Sequence, residues 1–122
     1  MRKEEADLFK VNLDKSKRYL EYGCGGSTVY VANNTSAEIH TVDSVQEWID
    51  KIKKAIGPRP NITYDMIDIG PTESFGRPTG KSKINNWPSY SDAILRCSFV
   101  PDTVMIDGRF RVASCLKVVK YF

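Results

Sequence analysis

Residues 19–28, Tyr19-Leu20-Glu21-Tyr22-Gly23-Cys24-Gly25-Gly26-Ser27-Thr28, decide how the rest of the chain is read. Arg18 to Tyr22 has the character of a strand, and it runs into glycines at 23, 25 and 26. Those glycines let the backbone turn sharply and lie close to a ligand. A helix follows from Ser27 to about Asn33, closed by Asn33-Asn34, and its first turn offers free N–H groups to an anionic group.

Outward from this turn, strands and helices alternate. Upstream, Leu8, Phe9 and Leu13 mark a short amphipathic helix. Downstream, Glu38 to Val42 forms a second strand. Val45, Trp48, Ile49, Ile52 and Ile56 then fall on one helical face, with Ser44 and Glu47 as a capping box and Gly57-Pro58 as the stop. Ile62 to Ile67 is a third strand. Gly70 to about Tyr90 reads as a loop, punctuated by Pro71, Gly76, Pro78, Gly80 and Pro88. A short helix around Ser91 to Cys97 leads to a fourth strand, Thr103 to Ile106. Asp107-Gly108 then turns into a last helix whose apolar face is Val112, Cys115, Leu116 and Val119. This order predicts an α/β fold, a doubly wound and mostly parallel sheet with right-handed crossovers. Ligands in such sheets bind beyond the carboxyl ends of the strands, where strand order reverses. The distinctive residues stand there: Glu21 through Thr28 after the first strand, then Asp43, Asp68 and Asp107 after the next three.

Composition narrows the function. The 122 residues suit one domain, 1–122, and 41% hydrophobic with 27% charged residues is ordinary for a globular protein. No apolar run approaches the ~20 residues a membrane span needs. The opening MRKEEADLFK lacks the apolar core of a signal peptide, so a cytoplasmic location is expected. Cys24, Cys97 and Cys115 are widely spaced and His40 is the one histidine, which argues against a disulfide framework and a zinc site and leaves the cysteines as buried free thiols. His40 lies in a strand interior, a poor place for the base of a catalytic triad. Residues 77–122 hold 8 Lys/Arg against 3 Asp/Glu, a surplus of +5 within a net charge of +3. Without a basic run or aromatic interleaving this does not suggest nucleic acid; it suits a solvated surface or an anionic ligand.

The glycine turn discriminates between two cofactor classes. A dinucleotide fingerprint needs its third glycine at position 28, which is threonine here. An acidic residue just before the first glycine, Glu21, suits a ligand bearing an ammonium and a carboxylate better than a pyrophosphate. Leu20 through Thr28 resembles the first motif of class I S-adenosylmethionine-dependent methyltransferases, an acidic residue followed by GxGxG, with Ser27 in place of the third glycine and Gly26 beside it. Asp68-Ile69-Gly70-Pro71-Thr72 and Ile106-Asp107-Gly108-Arg109-Phe110-Arg111 are similar to a bacterial subgroup of methyltransferases without a settled substrate. The resemblance covers about residues 17–122.

That resemblance implies a Rossmann-like sheet of strand order 3-2-1-4 that lacks the C-terminal strands of the full methyltransferase fold. It implies S-adenosylmethionine as cofactor, bound by Glu21, Gly23, Gly25, Gly26, Ser27 and Thr28, with Asp43 on the ribose hydroxyls and Asp68 on the adenine amino group. Asp107 would orient or deprotonate a small-molecule acceptor, and Arg109 and Arg111 would hold its anionic substituent bidentately. Asp68 and Asp107-Gly108 have plainer readings as turn residues. Two functions remain open: methyl transfer, or a non-catalytic cofactor-binding or assembly module. The 70–90 loop is expected to be either a lid, with Trp87 and Tyr90 as an apolar wall and Arg77, Lys81 and Lys83 as charge, or disordered. The fourth strand would be an open edge, so a twofold dimer through that side, including the end Tyr121-Phe122, is expected.

Overall fold

A computed structural model describes residues 3–72 and 78–121. The elements run α1 (Lys3–Asp14), β1 (Arg18–Tyr22), α2 (Gly26–Asn34), β2 (Glu38–Asp43), α3 (Gln46–Ile56), β3 (Ile62–Met66), α4 (Trp87–Ser91), α5 (Ala93–Arg96), β4 (Thr103–Ile106) and α6 (Arg111–Tyr121), with a 3-10 turn at Ile84–Asn86. All four strands are parallel, in the order β3-β2-β1-β4. The doubly wound sheet expected from the sequence is therefore the fold observed. Among the described residues no helix is long and apolar enough to cross a membrane.

Strand alternation builds two cores. Tyr19 and Ile39 point to the layer of α1, α2 and α3, where Leu13, Val31, Ile52 and Ile56 complete the packing. Leu20, Tyr22 and Val42 point to the opposite layer, against Tyr90, Ala93, Ile94 and Val118 of α4, α5 and α6. A central strand buried on both faces is what helices on either side of a parallel sheet require. On the second face, Asp65 Oδ2 lies 2.9 Å from His40 Nε2 and 3.0 Å from both Nε and an Nη of Arg96, tying β2 and β3 to α5. Burial alone would push the Asp65 carboxyl up, but its hydrogen bonds to His40 and Arg96 outweigh it and hold the group below its ordinary value.

Four expectations are corrected. Ser44 and Glu47 do not cap α3; its N-cap is Val45 and carries no side-chain cap. The Asp43 carboxylate takes the Ser44 and Val45 N–H groups at 2.7 and 3.1 Å, which delays the helix start. Gly57 does close that helix, at φ 81° and with its N–H on the Lys53 carbonyl. The segment before Ser91 is not all loop, because a helix starts at Trp87, and Pro88 fits its first turn, where no donor is needed. Of the cysteines only Cys24 is buried; Cys115 is exposed. The reason lies in the fourth correction: α6 turns Ser114 and Val118 inward and leaves Val112, Leu116 and Val119 exposed at 75%, 65% and 67%. Among the described residues β4 is the edge strand of the sheet, and no further strand lies under that side of the helix.

The described parts of the 70–90 segment, 70–72 and 78–90, are bridged to each other and pinned to the end of β3. Thr72 bridges Pro78, and the Thr79 N–H donates to the Pro71 carbonyl at 2.9 Å. Asn86 Nδ2 donates to the Asp68 carbonyl and Trp87 Nε1 to that of Ile69, both at 3.0 Å. Gly76 and Arg77, assigned to the lid, and Phe122, assigned to the dimer face, lie outside the described residues.

Candidate functional site

The loops after β1 and β4 meet at the carboxyl end of the sheet, between the two strands where the order reverses. Gly23 sits there at φ 102°, its N–H on the Val42 carbonyl at 2.7 Å. A Cβ on Gly23 would lie 2.7 Å from Gly108 N and 2.8 Å from its Cα. The two loops therefore touch backbone to backbone. A Cβ on Gly108 would stand 2.0 Å from the hydroxyl oxygen of buried Tyr90. Gly23 and Gly108 are thus demanded by the fold itself.

Gly25 and Gly26 differ. A Cβ on Gly26 meets nothing within 4 Å, and one on Gly25 meets only the Trp48 ring, at 3.9 Å. The turn is open on this side, next to the first turn of α2. Trp48, which the helical pattern suggested as core, is 42% exposed and donates its indole N–H to the Cys24 carbonyl, bolting the turn to α3.

Glu21 is fully buried. Its Oε1 accepts hydrogen bonds from the hydroxyls of Thr28 and Thr41, and its Oε2 from those of Tyr19 and Ser27. The expected contact between Glu21 and a ligand's ammonium is not how the carboxylate is placed: it faces four hydroxyls of the protein. Burial raises its carboxyl above the ordinary value, opposed by these hydrogen bonds. Thr28 also accepts the Gly25 N–H on its hydroxyl oxygen at 2.9 Å. Cys24 lies beside Thr28, and burial pushes its thiol up to about 11, which keeps it inert at neutral pH.

Asp43 ends β2 and braces the turn from the other side. Its Oδ2 accepts the Cys24 N–H at 3.0 Å, while Oδ1 takes Ser44 and Val45. A carboxylate offers about four acceptor sites, so one remains after these three N–H groups. Burial raises the Asp43 carboxyl, and the three backbone donors oppose that rise. Beyond Asp43 an open cleft of about 440 Å³ runs along the ends of β2 and β3, with Ser44, Val45, Met66, Asp68, Gly70 and Lys83 among its walls. Asp68 is exposed there; its Oδ1 accepts the Gly70 N–H at 2.9 Å, and Lys83 Nζ is 3.9 Å from its Oδ2.

Past β4, Asp107 is exposed and pairs with Arg111 at 3.0 Å. Arg111 also donates to the carbonyls of Gly108 and Asp107, so it folds back on the turn. The Nε of Arg109 is buried without a hydrogen-bond partner among the described residues. The expected Arg109–Arg111 clamp is not formed: one arginine neutralises Asp107 and the other is packed inward. Phe110 adopts φ 54°, a left-handed conformation rare for a bulky residue, and packs on Trp87 and Tyr90 at 5.4 and 5.6 Å between ring centres. A wider cleft of about 630 Å³ opens at the opposite end of β4, beside Lys17 and Asp102. There the Asp102 carboxylate already accepts the backbone N–H groups of Lys17 and Arg18.

Sequence reasoning missed Tyr19, Thr41 and Trp48. Tyr19 is two residues from Glu21 and shares its face, and Thr41 is paired with Glu21 across β1 and β2. A hydroxyl at each inward neighbour of an inward glutamate is a signal that alternation makes readable.

No protein-family model matches this chain, and no curated protein matches it. Among solved structures it resembles a methyltransferase-like protein from Silicibacter pomeroyi, with 33% identity and a TM-score of 0.82 over 97% of this chain. The chain spans 64% of that protein's length. Its fold is methyltransferase-like.

Proposed function

We propose that this chain binds S-adenosylmethionine at the carboxyl end of its sheet and serves methyl transfer to a small, anionic acceptor. The observation that carries the reading is the glycine turn at the reversal of strand order, open at Gly25 and Gly26 and tied through Asp43 to Ser44 and Val45, which line the cleft at the ends of β2 and β3. The residues fit the cofactor. The open glycines and the first turn of α2 suit its amino-acid end, the remaining acceptor site of Asp43 suits a ribose hydroxyl, and exposed Asp68 suits the adenine amino group.

Bound there, the cofactor supplies an activated methyl group on a sulfonium. The chain's residues then position and screen. Gly23 and Gly108 hold the two loops together, Trp87 and Phe110 pack with buried Tyr90 beside the Gly108 turn, and Asp107 with Arg111 places a carboxylate at that turn. Orientation of this kind is the main contribution a protein makes to an in-line displacement. Arg109, whose Nε has no hydrogen-bond partner among the described residues, would supply the positive charge for an anionic acceptor, since Arg111 is committed to Asp107. Gly70, Pro71, Thr72 and Lys83 line the cleft, and Asn86 and Trp87 anchor the chain beside them, so the 70–90 segment would serve as its lid.

Calorimetric titration with S-adenosylmethionine, followed by an assay for S-adenosylhomocysteine across acceptors, tests this reading. Binding with turnover supports it; binding without turnover favours the non-catalytic module; no binding removes both. The open edge of β4 and the apolar stripe of α6 suit a second copy of the chain, paired about a twofold axis. Sedimentation equilibrium at micromolar concentration should show association, and a clean monomer of 13.8 kDa would refute it.

A further inference from the structure

The hydroxyl cage of Glu21 lies behind the glycine turn, and nothing in the proposed chemistry uses it directly. An ionised carboxylate accepts about four hydrogen bonds, two on each oxygen. Here each oxygen receives two, from Thr28 and Thr41 on one side and from Tyr19 and Ser27 on the other. The donors come from three elements: Tyr19 from β1, Thr41 from β2, and Ser27 and Thr28 from the first turn of α2. A ligand ammonium would therefore have to displace a hydroxyl already in place, from a side chain with no exposed surface.

Thr28 extends the cage to the turn. Its hydroxyl hydrogen goes to Glu21, which leaves the oxygen's lone pairs toward the Gly25 N–H, 2.9 Å away. Gly25 is the N-cap of α2, and its carbonyl accepts the first helical hydrogen bond, from Val29 at 3.2 Å. Glu21 thus fixes the direction of the Thr28 hydroxyl, and Thr28 fixes the peptide that begins the helix. Without this acceptor the Thr28 hydroxyl hydrogen would turn to another partner, with Cys24 Sγ at 3.7 Å, and its lone pairs would no longer be held toward the Gly25 N–H.

We propose that Glu21 is a positioning residue that touches no part of the ligand and acts through Thr28 and Ser27 to hold the Gly25 peptide and the first turn of α2 in their binding geometry. The inference deepens the cofactor reading by reassigning this residue, yet it stands on the ligand-free protein, so its test needs no cofactor. Replacing Glu21 by Gln leaves one acceptor oxygen and puts an NH₂ group against two hydroxyls. Replacing Thr28 by Val keeps the buried volume and removes the link.

The experiment is amide hydrogen exchange of Gly25, followed by NMR on the full chain without ligand, in the wild type, Glu21→Gln, Thr28→Val and Thr28→Ser. The expected result is exchange faster by roughly tenfold in Glu21→Gln and Thr28→Val, the scale of one missing hydrogen bond, with Thr28→Ser close to the wild type. Wild-type exchange at Gly25 in either Glu21→Gln or Thr28→Val would overturn the proposal, as would equal acceleration in Thr28→Ser and Thr28→Val. If Glu21→Gln does not fold, the Val and Ser variants at Thr28 decide alone. Titration of the same variants with S-adenosylmethionine separates the two readings. A Glu21→Gln protein that loses affinity while its Gly25 amide stays protected would make Glu21 a direct contact, whereas a wild-type chain that binds no cofactor would defeat the functional reading and leave the positioning result intact.

Discussion

Gly23→Ala is expected to cost the fold about 2–6 kcal/mol, from a non-glycine residue forced to positive φ and from a methyl driven into packed backbone. The added carbon would stand 2.7–2.9 Å from Gly108 N, Gly108 Cα and the Asp107 carbonyl carbon, none of which is the end of a flexible side chain. Against a total stability of about 5–15 kcal/mol for a domain, the change should lower the melting temperature by about 10 °C or more. Gly26→Ala is the matched control. It adds a methyl to open space at the first position of a helix, where alanine is preferred, so stability should stay within about 1 kcal/mol of the wild type. The same methyl enters the space proposed for the cofactor, and affinity for S-adenosylmethionine should fall by roughly tenfold or more. Thermal melts and titrations of the two variants check both halves. A Gly23→Ala protein that melts like the wild type would contradict the close approach of the loops, and a Gly26→Ala protein that binds like the wild type would move the ligand elsewhere.

Asp43→Ala should damage both fold and binding, because the carboxylate holds three backbone N–H groups before any ligand arrives. Leaving partly buried donors without an acceptor costs about 1–3 kcal/mol, and removing the acceptor proposed for a ribose hydroxyl weakens binding by a further amount on the order of 1.5–3 kcal/mol. Asp43→Asn keeps one acceptor oxygen and should fall between the two. The pH dependence has a definite sign. Burial raises the Asp43 carboxyl, so folding favours its protonated form. The stability this contributes is present below about pH 4 and is lost as pH rises through the raised value. The amide introduced by Asp43→Asn does not titrate, so the stability gap between the wild type and this variant should narrow from about pH 4 toward neutrality. Denaturant melts across that range measure it, and a gap that widens would contradict the placement of Asp43.

The positions legible in the sequence were those whose chemistry is local. The strand-to-glycine-turn sequence at 18–28 and the acidic residues at strand ends 43, 68 and 107 are legible because a parallel sheet brings successive carboxyl ends to one edge. Contacts between elements were harder to read. The capping box at Ser44 and Glu47 failed because Asp43 competes for the same N–H groups, and local pattern cannot see a side chain reaching forward from a strand. The stripe at 112, 115, 116 and 119 has helical spacing, yet α6 buries Ser114 and Val118. Periodicity reports an apolar face and not what lies beneath it. Glu21 was legible as an important residue, while its four partners were not, since two of them enter from α2 and one from β2. The arginine pair shows the same limit: spacing placed Arg109 and Arg111 side by side, and the structure gives Arg111 to Asp107.

One ligand is proposed to occupy both the open glycine turn and the cleft beyond Asp43, and a crystal of the chain soaked with S-adenosylhomocysteine tests this most directly. The expected density begins at Gly25, Gly26 and the first turn of α2, passes Asp43 and ends beside Asp68, with the Glu21 carboxylate still facing its four hydroxyls. Density at the far end of β4 beside Lys17 and Asp102, or a fully occupied ligand that leaves Gly26 and Asp43 uncontacted, would contradict it.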